Sequence, residues 1–359
     1  MTQSRRVDPA KLKNYARHVV GTLSGATVAS MIWLGDQLGL FEAMSDGEAY
    51  SSAELAAKTG LNERWLREWL RQQGAGGVLD YEGDGRFSLS AEGQAVLVDE
   101  MHPANGIGCF SQLPELIQNL ALLPESFRTG IGQPYDAMGE DGAVGVERGF
   151  APWFRTMLRS KALPRLDGVE ARLEEGIRVL DVGCGGGVAL VELAKAYPRS
   201  VFHGYDISRF ALERARKNAS EAGVENVAFH DPRESPLPTD HSAGLVFTFD
   251  CLHDMTQPAQ VVQSIRQAIR DDGTWLVADI KSQPTYEGNV EKNPMAAMMY
   301  GFSIMVCMSS SLSEPNGAGL GTLGLHSELL EQMANDAGFA RFEPLDLGHP
   351  VNAFYVVRP

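Results

Sequence analysis

The chain has 359 residues, 44% of them hydrophobic and 21% charged, with a formal net charge of -15. That length gives room for two domains with separate cores, and the acidic balance disfavours nucleic acid and anionic membrane as partners. No apolar run is expected to span a bilayer, and the four cysteines (Cys109, Cys184, Cys251, Cys307) show no Cys-x-x-Cys spacing, so a cytoplasmic protein without a metal site or disulfide framework is expected.

The N-terminus, Met1-Thr-Gln-Ser-Arg-Arg, is basic but leads into Asp8-Pro9 and a polar helix, not a secretory core. A helical pattern runs from Leu12 to about Met44. Ser51 and Glu54 have the spacing of a capping box that opens a short helix to Lys58. Thr59-Gly60 ends it, and Asn62 starts a further helix with Trp65, Leu66, Trp69 and Leu70 at spacings of three and four. Val78–Tyr81, the turn Glu82-Gly-Asp-Gly85 and Arg86–Leu89 read as a β-hairpin. Two helices followed by a two-stranded wing make a winged helix. Glu63 and Glu68 interleave with Arg64, Arg67 and Arg71, and the wing carries Glu82 and Asp84, which leaves few phosphate contacts for a DNA reader. An apolar-rich helical segment of this kind is better suited to pairing two subunits.

Residues Pro103–Leu123 read as helical, and the glycine-rich Gly130–Gly149 as a flexible connection. Domains are therefore expected at 1–149 and 150–359. The segment that opens the second contains Trp153, Phe154 and Met157, which suit either a pocket wall or an interdomain core.

The apolar run of Arg178–Val182 then meets Gly183, Gly185 and Gly187, and a helical segment from Val188 follows. Strand, glycine turn and helix open a nucleotide-binding βαβ unit. Val188 stands where a dinucleotide fingerprint has its third glycine, and Asp181 sits two residues before the first. A carboxylate there repels a pyrophosphate at the helix N-terminus, but attracts S-adenosylmethionine, which carries a sulfonium and an amino group and no phosphate. The second strand, Val201–Asp206, ends in a carboxylate placed to accept from ribose hydroxyls, with Ile207 beside it. These features resemble the class I S-adenosylmethionine-dependent methyltransferases.

Further strands are expected at Val224–Phe229, Leu245–Asp250, Thr274–Ile280, Phe342–Leu347 and Ala353–Val357. Helices between them imply a parallel sheet, closed by a hairpin of the last two strands. The fold class is thus α/β, a seven-stranded Rossmann-like domain preceded by a mainly helical winged-helix domain. Residues 281–324 are too long for a plain connection. The crowd of methionines and aromatics there, Met299 and Phe302 among them, fits a lid over an apolar acceptor or ordinary helix packing, with Ser309–Gly321 as its mobile part.

The resemblance extends further. Gly35-Asp-Gln-Leu-Gly-Leu-Phe41, Asn62–Leu70 and Asp250-Cys-Leu-His-Asp-Met255 are similar to stretches of mycobacterial-type winged-helix methyltransferases and, more distantly, of small-molecule O-methyltransferases from plant and polyketide pathways. That resemblance implies a homodimer and a small-molecule acceptor, with S-adenosylmethionine held by Asp181, Gly183, Gly185, Gly187, Asp206, Ile207 and Asp250. Asp231 is the choice for the adenine contact, because Arg233 stands where the family's acid normally falls. His253 is the expected general base for transfer to a hydroxyl, by its likeness to the family's His-Asp-Trp motif and because an imidazole titrates near neutrality. Met255 replaces the tryptophan. His326, which opens a helix, is a further acceptor-side candidate. The rival readings are an S-adenosylmethionine-sensing transcription regulator and an N- or C-methyltransferase that needs no histidine base.

Overall fold

A computed structural model describes residues 7–359; the basic Met1–Arg6 stretch lies outside the described residues. The chain divides into two compact units, Met1–Leu113 and Pro114–Pro359, so the break falls well before the 149/150 position expected from composition.

The first unit begins with α1 (Pro9–Gln37), started by Asp8, whose carboxylate accepts from the Ala10 amide at 2.8 Å, and by a proline in its first turn. Contrary to expectation, this helix is long and apolar enough to cross a membrane by length and composition, with 11% of its apolar stretch buried. Its apolar residues are diluted by Gly21, Ser24 and Gly25, so no unbroken run marks it. Next come β1 (Tyr50–Ser51), α2 (Ser52–Thr59), α3 (Glu63–Ala75), β2 (Asp80–Gly83) and β3 (Arg86–Ser88). The Ser51–Glu54 capping box forms as expected. The wing has a third strand, with sheet order β1-β3-β2; two residues are too few to show strand alternation. On α3, Arg67 pairs with Glu63 at 2.6 Å and Arg64 pairs with Glu68.

The core of this unit gathers Leu40, Phe41, Leu55, Leu66, Trp69, Leu70 and Phe87. Phe41 and Trp69 meet edge to face, ring centroids 5.5 Å apart, and the Trp69 indole donates to the Met31 carbonyl at 2.9 Å. Gly35 lies against both rings: a Cβ there would stand 2.6 Å from Trp69 and 2.8 Å from Phe41. This close approach explains a glycine inside a helix.

In the second unit a 3-10 turn (Tyr135–Met138) and α4 (Gly139–Trp153) occupy the stretch expected to be a flexible connection. Gly142, inside α4, sits on Met138. Pro103–Leu123 is helical only in short pieces, including Gly108–Ser111 and Leu113–Asn119. The sheet follows: β4 (Arg178–Val182), α5 (Val188–Ala196), β5 (Val201–Tyr205), α6 (Arg209–Ala222), β6 (Val227–His230), β7 (Ala243–Phe249), α7 (Pro258–Ala268), β8 (Ile269–Ile280), α8 (Ser327–Asp336), β9 (Arg341–Leu345) and β10 (Asn352–Arg358). Strand order is β6-β5-β4-β7-β8-β10-β9. All neighbours run parallel except β10, which is antiparallel to both β8 and β9. Every residue of β7 is buried, as a strand covered on both faces requires. Separate apolar clusters fill the two faces, one around Leu190, Phe202 and Phe247, the other around Val246, Ile265 and Trp275. The order reverses between β4 and β7, and a crevice opens beyond their carboxyl ends.

Residues 281–324 carry helices Tyr286–Lys292 and Ala296–Phe302, a π-helical stretch Ser303–Cys307 and a last turn Met308–Ser311. The glycine- and serine-rich part expected to be mobile is instead bonded to the loop after β7. Ser311 Oγ donates to the Met255 carbonyl at 2.8 Å, the Ala318 amide to Thr256 at 2.9 Å and the Gly321 amide to His253 at 3.1 Å. Small residues here permit backbone contact rather than motion.

Gly35→Ala should destabilise the first unit by about 1–3 kcal/mol, the usual cost of overpacking a closed core. Urea unfolding followed by tryptophan fluorescence checks this, with an unchanged midpoint contradicting it.

Candidate active site

Asp181 is the penultimate residue of β4 and is 2% exposed. One of its carboxylate oxygens has no hydrogen-bond partner. Burial, with a smaller contribution from the Asp206 carboxylate, pushes its pKa up to about 8. The turn after it needs glycine for conformational and steric reasons together. Gly183, Gly185 and Gly187 have φ of 80°, 52° and 70°, a region unfavourable for other residues. A Cβ at Gly183 would meet the Cys251 sulfur at 2.6 Å, whereas the space beside Gly185 is open. Asp206, just past β5, closes the turn by accepting from the Gly185 amide at 2.8 Å and from the Ser208 amide at 2.8 Å. Burial raises its pKa too, partly offset by those amides.

These residues line a cavity of about 340 Å³ at the β4/β7 switch point. Its floor is the glycine turn, and Asp181, Asp206, Asp250 and Asp254 face it. Its lining also includes Tyr205, Ile207, Pro232, Pro236, Leu237 and Phe249. From α4 come Glu147, Phe150 and, just beyond, Phe154. Glu147 is not free: Arg214 pairs with both its oxygens, at 2.8 and 3.0 Å, and Asn218 donates to it at 2.8 Å. It buttresses the glycine turn, since a Cβ at Gly186 would collide with its carboxylate. Asp254 is raised to about 7, chiefly by desolvation, with His253 pulling the other way. Asp250 is raised by the same cause; it has φ 56° and accepts from Asn352 at 2.9 Å. A pocket with four carboxylates, among them the buried unpaired oxygen of Asp181, and an apolar slot fits a cationic adenosyl group and lacks a basic cradle for pyrophosphate. The cofactor expected from the sequence therefore fits the residues present.

His253 is 3% exposed in the short turn Leu252–Asp254 beyond β7. It does not itself line the cavity, although Asp250, Cys251 and Asp254 do. Its Nδ1 lies 2.7 Å from Asp279 Oδ1, a contact between two buried side chains. Burial opposes a charged ring, but Asp279 and Cys307 outweigh it and raise the His253 pKa well above 6.5. Asp250, His253 and Asp279 each bring a potential ligand atom within 4.8 Å of the others; the His253–Asp279 hydrogen bond accounts for much of that closeness.

Several expected site residues stand elsewhere. Asp231 is engaged by Arg233 through its side chain, 2.6 Å from Arg233 Nη2, and its pKa is lowered by that guanidinium; Pro232, not Asp231, reaches the cavity. Trp153 stacks on Phe354 at 5.2 Å and meets Phe249 edge-on, so it belongs to the core under the sheet. Met157 and Phe302 are half-buried outside the lining, and Met299 packs with Ile280, Ala296 and Leu323. His326 caps α8, its ring accepting from the Leu329 amide at 3.4 Å. Asp279, Glu147 and Tyr135, which also lines the cavity, went unnoticed in the sequence. Asp279 had a signal, a lone acid in the apolar run Trp275–Ile280; the others come from segments far from the strand ends.

Residues 173–338 match the family described as "Methyltransferase domain", and residues 26–98 the "Rv2258c-like winged HTH domain". A ubiquinone biosynthesis O-methyltransferase of Neisseria meningitidis is 29% identical over 123 residues, 33% of this chain and 51% of that protein. A 3-hydroxy-5-methyl-1-naphthoate 3-O-methyltransferase of Streptomyces sahachiroi is 26% identical over 73% of this chain and 76% of its own. The chain spans about half the length, or less, of most curated relatives it matches. Among solved structures, human N-acetylserotonin methyltransferase in complex with SAM superposes with a TM-score of 0.65 at 16% identity, over 99% of each chain. The protein thus joins a methyltransferase domain to an Rv2258c-like winged helix-turn-helix domain, in the overall fold of the class I S-adenosylmethionine-dependent methyltransferases.

Proposed function

We propose that this protein transfers a methyl group from S-adenosylmethionine to a hydroxyl of a small apolar or aromatic molecule. The observation that carries this reading is the unpaired, buried Asp181 oxygen beneath the glycine turn. Transfer to oxygen is supported by His253 and by relatives named for O-methylation.

When bound, S-adenosylmethionine supplies a methyl group already activated by a sulfonium. Asp181 and the backbone of the glycine turn hold the amino-acid end, Asp206 the ribose hydroxyls, and the Ile207–Pro232–Leu237 wall the adenine. Asp254 and Asp250 add negative potential on the acceptor side. His253 takes the acceptor's hydroxyl proton, and Asp279 fixes the ring so that the remaining nitrogen is the basic one. For an acceptor to reach that buried nitrogen, the 303–322 segment, bonded to the loop after β7, must loosen.

The acidic groups make cofactor binding proton-linked. Asp181, with a pKa pushed up to about 8, is mostly protonated at neutral pH in the free protein. A cation beside it favours the ionised form, so binding releases a proton and affinity rises as pH climbs towards about 8, then flattens. Calorimetry in two buffers of different ionisation enthalpy should show that release. A hydrogen bond to a charged group is worth about 1.5–3 kcal/mol, so Asp181→Asn should weaken binding roughly ten- to hundredfold and remove the pH dependence.

His253 must be neutral to accept a proton. Because its pKa is raised, turnover should fall as pH drops below that raised value. Asp279→Asn removes the carboxylate that favours the charged ring, so the acid limb of the pH–rate profile should move to lower pH. His253→Ala should keep cofactor affinity and lose about 10²–10⁴-fold in turnover on a hydroxyl acceptor; undiminished turnover with a panel of phenols would exclude the base role.

The partner is a second copy of the chain. Leu12, Tyr15, Val19, Val20 and Leu23 of α1 are all about half or more exposed, an apolar surface that a second copy can cover. Sedimentation should find a dimer that Val20→Glu with Leu23→Glu converts to monomer. A monomeric wild type, or one recovered only with lipid, would contradict this.

A further inference from the structure

The cavity at the switch point holds more negative charge than its cofactor offsets. Asp181, Asp206, Asp250, Asp254 and Glu147 line it, and no lysine, arginine or histidine does. Three of these carboxylates have partners within the protein: Asp206 accepts from two amides, Asp250 from Asn352, and Glu147 pairs with Arg214. Asp181 keeps its unpaired oxygen for the cofactor. Asp254 differs from all four. It lines the cavity from the turn that carries His253, and among the described residues its carboxylate makes no hydrogen bond or ion pair. S-adenosylmethionine brings a sulfonium, an ammonium and a carboxylate. Its net single positive charge offsets Asp181 and leaves Asp254 without a counter-charge. Ser310 lines the same cavity and is 5% exposed. Its hydroxyl also makes no hydrogen bond among the described residues.

We propose that the methyl acceptor is an aromatic molecule bearing a protonated amine, whose ammonium is taken by Asp254 and the Ser310 hydroxyl. This deepens the reading of the same site and rests on S-adenosylmethionine being its cofactor. An ammonium has donors and no acceptor, which suits a carboxylate and a hydroxyl that both lack partners. A neutral hydroxyl would satisfy a hydrogen bond but leave the charge of Asp254 unopposed in a largely desolvated site. The cost of that charge is visible, since desolvation pushes the Asp254 pKa up to about 7. The rest of the recognition is aromatic. Phe150 and Phe154 line the cavity with ring centroids 6.1 Å apart, and Phe154 lies 5.2 Å from Phe249. Such rings pack on an aromatic acceptor, and their faces attract an organic cation. The same carboxylates repel an anionic acceptor, so the site selects by sign of charge as well as by shape.

The test is calorimetric titration of the full chain, saturated with S-adenosylhomocysteine, with three phenols of similar size: tyramine, 4-ethylphenol and 4-hydroxyphenylacetate. The titrations are run at about pH 8, above the Asp254 value of about 7 and below that of a primary amine. Tyramine should bind roughly ten- to hundredfold more tightly than 4-ethylphenol, as a hydrogen bond between charged groups gives, and 4-hydroxyphenylacetate should bind most weakly. Asp254→Asn should bring tyramine down to the level of 4-ethylphenol, with S-adenosylhomocysteine still bound. A loaded wild type that binds 4-ethylphenol or 4-hydroxyphenylacetate as tightly as tyramine, or binds none of the three, would overturn this inference alone. So would an Asp254→Asn protein that keeps the preference. Failure of S-adenosylhomocysteine to bind the wild type would instead remove the cofactor reading, and this inference with it.

Discussion

A carboxylate kept out of water without a full set of partners is a costly feature, and Asp181 is one at the centre of this sheet. Everything nearby is arranged around keeping it there. The turn above it consists of residues that can adopt left-handed backbone and let Cys251, Glu147 and Phe229 press against it. Asp206 spends its hydrogen bonds on the turn's amides, and Glu147 spends its charge on Arg214. Asp181 keeps an unpaired oxygen, and the cavity opens beside it. Such strain is expected where a ligand completes the set of contacts.

A second buried polar group lies on the other side of the switch point. Asp279 and His253 sit at the ends of adjacent parallel strands, β8 and β7, whose pairing brings them into contact across 26 residues of sequence. The 303–322 segment then covers them, bonded to the same loop. Its serines and glycines act as close-packing residues, which is why the histidine is hidden although its neighbours Asp250 and Asp254 line the cavity. Access to His253 is accordingly a matter of loosening that cover.

Much of this was legible in the chain. Strand-end acids and turn glycines announce themselves, because the βαβ geometry puts those positions at the crevice and the residue types are costly anywhere else. The capping box of Ser51 and Glu54 and the terminal hairpin were equally local, and both formed. What escaped depends on distance. Gly130–Gly149 reads as a linker, yet Gly142 and Gly145 are buried in α4. Asp231 looked free until Arg233, two residues on, closed upon it. Trp153 could have faced ligand or core; only its stacking on Phe354, from the last strand, decides.

The most direct test of the central claim is a calorimetric comparison of S-adenosylmethionine with NAD on the intact chain. A buried acid beneath the glycine turn should give saturable heat with S-adenosylmethionine and none with the pyrophosphate-bearing ligand. Tight NAD binding with no response to S-adenosylmethionine would contradict it.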